Sequence, residues 1–172
     1  TMTTPPIIMT TQPPIIATTF AAHVRIHSPA IDNSTYFVGH VAVDADRGLL
    51  RKQLTDFYSD PKKPVSSDFL LNCSSLTAYY AENGRACETY STKPGQCPSP
   101  YPGVKIATSA SLVRNETANG LLCNVWQWYS PLFASSVTAW VNGTLLVRFL
   151  GGRVTTDYTF ISLSPTADNF VV

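Results

Sequence analysis

Phe20-Ala21-Ala22-His23-Val24-Arg25-Ile26-His27 and, after a break at 28–35, Tyr36-Phe37-Val38-Gly39-His40-Val41-Ala42-Val43 decide the fold. In the first run Phe20, Ala22, Val24 and Ile26 fall on one side, and Ala21, His23, Arg25 and His27 on the other. The second run places Phe37, Gly39, Val41 and Val43 together. Such period-two alternation marks half-buried strands. Paired as a hairpin, Phe20 stands opposite Val43 and Ile26 opposite Phe37. The apolar sides then coincide, which is the condition that fixes register. His23 faces His40 across the same pair.

The pattern continues along the chain. Asn83-Gly84 predicts a type I′ turn, because both positions need positive φ. It would join 76–82 to 85–91, placing Tyr80 near Cys87 and Tyr79 near Glu88. Asn142-Gly143 and Gly151-Gly152 predict a meander of 135–141, 144–150 and 153–160, with Trp140 opposite Leu145 and Phe149 opposite Val154. Residues 104–113 and 121–129 read as strands around a 115–120 loop. The Pro-rich stretch 96–103 reads as loop. Residues 46–58 fit a helical face through Leu50, Leu54, Phe57 and Tyr58, but their neighbours favour a strand. The expected class is all-β: an antiparallel sandwich or open half-barrel of about nine to eleven strands.

One such domain, 20–172, has the length for an adequate core. A net charge of +1 with 13% charged residues argues against a nucleic-acid footprint or a polybasic membrane patch. The chain begins with Thr and has no apolar run near twenty residues, so neither a signal peptide nor a membrane span is expected in it; a leader is expected to have been removed. Asn33, Asn72, Asn115 and Asn142 each open an Asn-x-Ser/Thr acceptor pattern. Four cysteines, Cys73, Cys87, Cys97 and Cys123, fit a disulfide framework, with three pairings open. Together these predict a secreted, extracellular glycoprotein.

Residues 1–19 form an arm of another kind. Thr3-Thr4-Pro5-Pro6-Ile7-Ile8-Met9-Thr10-Thr11 recurs as Thr11-Gln12-Pro13-Pro14-Ile15-Ile16-Ala17-Thr18-Thr19. The prolines forbid a helix and force extended geometry. An extended segment without its own fold gains order only by docking. Eighteen residues reach roughly 60 Å, beyond a domain of about 40 Å. The even spacing sets Ile7 and Ile15 on the same side.

Several short motifs resemble the ependymin-related and LolA-like group of secreted proteins. They are the opening strand 20–26, the turn Val41-Ala42-Val43-Asp44-Ala45-Asp46-Arg47-Gly48-Leu49, the Tyr-bearing hairpin 76–87 ending in Cys87, Leu122-Cys123-Asn124-Val125-Trp126, and the closing strand Thr156-Asp157-Tyr158-Thr159-Phe160. The likeness spans most of 19–172. It implies a curved antiparallel sheet with an apolar concavity and, in several relatives, binding of a lipid or another hydrophobic ligand. The arm has no counterpart in that pattern, and no catalytic residue carries over.

Little in the sequence suggests catalysis. No Gly-x-Ser-x-Gly elbow or phosphate loop occurs, so no enzyme activity and no cofactor are expected. Clustered imidazoles at His23, His40 and His27 suit a metal or a pH sensor, yet no acid stands at a matching position, and a polar sheet face is the simpler expectation. Tyr79, Tyr80, Trp126, Trp128 and Trp140 are candidates for an apolar groove, with ordinary core packing as the competing explanation.

Two functions follow. In the first, the chain is a filament or matrix subunit polymerising head to tail, its arm (Pro5, Pro6, Ile7, Ile8, Met9, Pro13, Pro14, Ile15, Ile16) docking on the next copy by β-augmentation. Glycans, N-linked and on arm Thr residues, would coat the outside. In the second, the chain is a carrier of a lipid or other hydrophobic ligand, with the arm folded back on its own domain.

Overall fold

The alternation at 20–43 forms the hairpin it predicts, with Phe20 paired to Val43, His23 to His40 and Ile26 to Phe37. The computed structural model describes residues 12–28, 34–58, 60–92 and 105–171. Its strands are β1 (Thr19–Ser28), β2 (Ser34–Asp44), β3 (Leu49–Asp56), β4 (Val65–Asn72), β5 (Thr77–Glu82), β6 (Glu88–Ser91), β7 (Ser111–Ala118), β8 (Leu121–Ser130), β9 (Ser135–Asn142), β10 (Leu145–Gly151) and β11 (Val154–Ser162). A 3-10 turn follows at Ala167–Phe170.

All eleven strands join one antiparallel sheet in the order β6-β5-β4-β3-β2-β1-β11-β10-β9-β8-β7. The expected all-β antiparallel class is what forms, as one unclosed sheet and not a two-sheet sandwich. Strands β1 to β6 meander outward in one direction. Strands β7 to β11 meander back from the other edge, and among the described residues the two sets are hydrogen-bonded strand to strand where β1 pairs with β11. The ambiguous 46–58 segment contains β3.

Several expected registers differ. Tyr80 pairs with Glu88 and Tyr79 with Thr89, one residue beyond the expected partners. Asn83 and Gly84 do take positive φ, 49° and 71°, but Asn83 sends its N–H to the Ser66 carbonyl (2.8 Å). Trp140 pairs with Arg148, not Leu145: the turn falls at Gly143-Thr144, so that Asn142 pairs with Leu145, and the ladder then skips a residue between Leu146 and Arg148. Phe149 pairs with Thr156, and Val154 with Gly151. The expected 115–120 loop shrinks to Asn119-Gly120, both at positive φ, between paired Ala118 and Leu121. Asn115 therefore lies within β7, exposed.

Both sheet faces carry apolar clusters. On one face Val43, Leu50, Leu71 and Ala78 pack with Phe20, Val41 and Phe69. The same face of the other half gathers Trp126, Ala139 and Val141 with Trp128, Leu146 and Phe149. On the reverse, Ala42 and Leu70 pack beneath Phe170 of the 3-10 turn, and Cys123, Val125, Trp140 and Val147 form a second group. Arg47 lies 5.3 Å above the Phe170 ring and fixes the tail there.

The cysteine framework is only partly realised. Cys73 is disulfide-bonded, whereas Cys87 (exposed) and Cys123 (buried) carry free thiols. Cys123 sits among Val125, Trp140 and Val147, a site that suits a small apolar side chain. Cys97 lies outside the described residues.

Candidate functional site

Across β5, β4, β1, β11, β10 and β8, Tyr80, Phe69, Phe20, Tyr158, Phe149 and Trp128 share one face and are each half-buried. Strand pairing positions them: Phe69 stands opposite Tyr80, and the Phe20 and Tyr158 rings meet edge to face at 6.3 Å. Trp128 lies 6.3 Å from Phe149, which lies 5.9 Å from Phe133 of the β8–β9 turn. Among the described residues neither a second sheet nor a helix covers this face. It is an apolar surface still partly open to solvent, of the kind that takes an apolar partner or ligand.

Two polar groups stand within it. The indole Nε1–H of Trp126 is buried with no hydrogen-bond partner among the described residues, and an unsatisfied buried donor costs about 1–3 kcal/mol. Lys52 lies between Val41 and Phe69 in the ladder, and burial pushes its ammonium below the usual lysine range.

The expected groove residues divide. Trp126, Trp128 and Tyr80 lie on this face, with Tyr80 near one edge of the sheet and the tryptophans near the other. Tyr79 packs on the reverse near Phe170. Trp140 also lies on the reverse, with Arg148 5.7 Å over its ring. Phe20, Phe69, Phe149 and Tyr158 were not singled out as groove residues, although their alternation with apolar neighbours assigns each to the same face.

The arm divides too. Pro5, Pro6, Ile7, Ile8 and Met9 lie outside the described residues. Ile16 is buried with Trp126 and Val141 of its own sheet and with Ile106 of the segment before β7, and the next residue, Ala17, donates its N–H to the Thr144 carbonyl at 2.8 Å. Ile15 is 85% exposed. Pro13 and Pro14 are half-buried.

Of the acceptor asparagines, Asn33 lies outside the described residues. Asn142 donates its Nδ2 to the Leu122 carbonyl at 2.8 Å. Asn72 caps the following turn, its Oδ1 accepting from the Ser74 and Ser75 N–H groups. The exposed Asn115 is the most open of the three.

On the reverse face His23 and His40 meet with ring centroids 3.8 Å apart. Burial and the neighbouring His23 lower the affinity of His40 for a proton. Farther along β1, buried His27 points Nδ1 at the Asp157 carboxylate, 3.6 Å away. Asp157 is held more tightly by Arg148 Nε at 2.6 Å and by Asn119 Nδ2 at 3.3 Å. Among the described residues no group of three or more His, Cys, Asp or Glu side chains comes together to hold a metal ion.

No family model matches this chain, and no curated protein matches it. Among solved structures it is similar to PNGF-II, solved in a P21 crystal form, at 6% identity and a TM-score of 0.35. The match covers 88% of this chain but 29% of that one. A likeness at that level carries no weight for fold or function. Among the described residues no helix is long and apolar enough to cross a membrane.

Proposed function

We propose that this chain is a secreted carrier that holds a lipid or other hydrophobic ligand against the uncovered apolar face of its sheet. The observation that carries this reading is the row of half-buried aromatics from Tyr80 to Trp128 on a face that, among the described residues, no second sheet or helix covers. Covering it with acyl chains would remove apolar surface from water at about 25 cal/mol per Å². The Asn-x-Ser/Thr patterns and the disulfide at Cys73 fit the extracellular setting. The resemblance to the ependymin-related and LolA-like group implies the same ligand class.

Organic extraction of the purified protein followed by mass spectrometry tests this. A stoichiometric apolar compound is expected, and the delipidated protein should quench its tryptophan emission on rebinding a fluorescent fatty-acid ester. Neither result appearing would end the proposal.

A second reading, head-to-tail polymerisation through the arm, is favoured by Ile15, which is left exposed beside a docked Ile16. Ile16 seated on its own sheet weighs the other way. Size-exclusion chromatography with and without residues 1–19 separates the two readings. Large assemblies lost on truncation support the polymer; a monomer in both cases removes it.

A further inference from the structure

On the face opposite the aromatic row, a pocket of about 310 Å³ opens over β1, β2 and β3, bounded by the end of β11 and the 3-10 turn. The pairing of β1 with β11 slips here: Ala21 pairs with Ser162 and His23 with Thr159. The slip is a bulge, and bulges re-aim side chains. Phe160 sits in it at φ +50° with its side chain 84% exposed, its ring 5.2 Å from His23. A left-handed backbone at an aromatic costs of order 1–3 kcal/mol, and such strain gathers at ligand sites. Here it leaves an aromatic ring standing in water at the mouth of a pocket.

The charges in the pocket are largely spent. Arg51 gives Nε and Nη2 to the two carboxylate oxygens of Asp68, at 2.9 and 2.5 Å. Gln53 gives its Nε2 to the same carboxylate at 3.1 Å, leaving its Oε1 as an acceptor. The His40 imidazole, 3.8 Å from that of His23, has its proton affinity lowered by burial and by that neighbour. Asp168, the other acid or base of fixed charge among the described lining residues, is in none of the ion pairs found there. A carboxylate repels an anion, and the polar walls give a long acyl chain no place. The pocket instead offers a carboxylate, an amide oxygen, two imidazoles and an exposed aromatic edge, within a volume at the low end for small-molecule sites, roughly 300 Å³.

We propose that this pocket binds a neutral polyhydroxylated ring, one or two residues of a saccharide, with vicinal hydroxyls on Asp168 and Gln53 and the ring's C–H face against Phe160. This site is independent of the carrier reading, since it lies on the other side of the sheet.

The test is NMR of the histidine Cε1–H resonances in the full chain. Methyl α-D-mannopyranoside, methyl β-D-galactopyranoside and N,N′-diacetylchitobiose are titrated separately to tens of millimolar. At least one should shift His23 and His40 saturably while buried His27, at the far end of β1, stays fixed. Phe160→Gly supplies a residue that accepts the left-handed backbone, so the fold should hold while the saturable shift disappears. A glycoprotein carrying the active sugar, before and after glycan removal, distinguishes a glycan ligand from a free one. The proposal is overturned if none of the three sugars moves His23 and His40, if the shift survives in Phe160→Gly, or if tetramethylammonium reproduces it.

Discussion

Ile15 and Ile16 are chain neighbours with opposite fates: Ile16 is 8% exposed in the cluster around Trp126, and Ile15 is 85% exposed. Extended geometry alternates side chains, so only one of the pair can face the sheet. Ile16→Ala should therefore cost about 2–4 kcal/mol in urea unfolding, and Ile15→Ala less than about 0.5 kcal/mol. Equal effects would mean that the arm is not seated as described.

Gly39 lies between Val24 and Leu54 in the ladder. A Cβ at this position would stand 1.8 Å from the Gln53 carbonyl oxygen. That neighbour is backbone and cannot rotate away, so Gly39→Ala should destabilise by more than about 3 kcal/mol or abolish soluble expression. A circular-dichroism melt within a few degrees of the parent would contradict the close approach of β2 and β3.

Stability should fall with acid below about pH 6.5. Burial lowers the folded-state proton affinity of both His27 and His40 from the ordinary 6.5, with Arg25 and Arg148 adding to it at His27 against the opposing pull of Asp157. The unfolded chain then takes up protons first as pH drops, so stability is complete above 6.5 and declines below it. His27→Gln should flatten that decline in denaturation midpoints measured from pH 7.5 to about pH 5. An unchanged slope would show that His27 does not titrate against folding.

The thiols give an inexpensive check on the cysteine assignment. One thiol, Cys87, should react with a disulfide reagent in the native protein, and a second, Cys123, only after denaturation. Burial also pushes the Cys123 thiol upward in pKa, which slows it further. Two thiols reacting promptly in the native state would show that the cluster around Trp140 opens readily.

The sheet was legible where alternation ran unbroken. The β1–β2 register follows from Phe20 to Ile26 alone. It became illegible at the bulges, because the skips at Leu146/Arg148 and Leu112/Arg114 insert a residue without marking the apolar pattern. Asn119-Gly120 carried the same turn signal as Asn83-Gly84 and was absorbed into a longer loop. At the site, Trp126 and Trp128 two residues apart necessarily share a face, whereas Tyr79 and Tyr80 necessarily do not. Which strands border which is set by long-range pairing, so the alignment of Phe20 with Tyr158, or of Phe160 with the histidine pair, could not be read locally.

The meeting of β1 with β11 makes the middle of this sheet its latest-closing part. Each meander can assemble from near neighbours, but the β1–β11 ladder that joins them waits on strands from opposite ends of the chain. Severing the backbone between β6 and β7 would break no ladder among the described strands, and two separately produced fragments should re-associate through the β1–β11 ladder, the seating of Ile16 against Trp126 and Val141, and the packing of Phe170 on Ala42 and Leu70. The molecule is thus a natural split protein, reporting reunion wherever its halves are brought together.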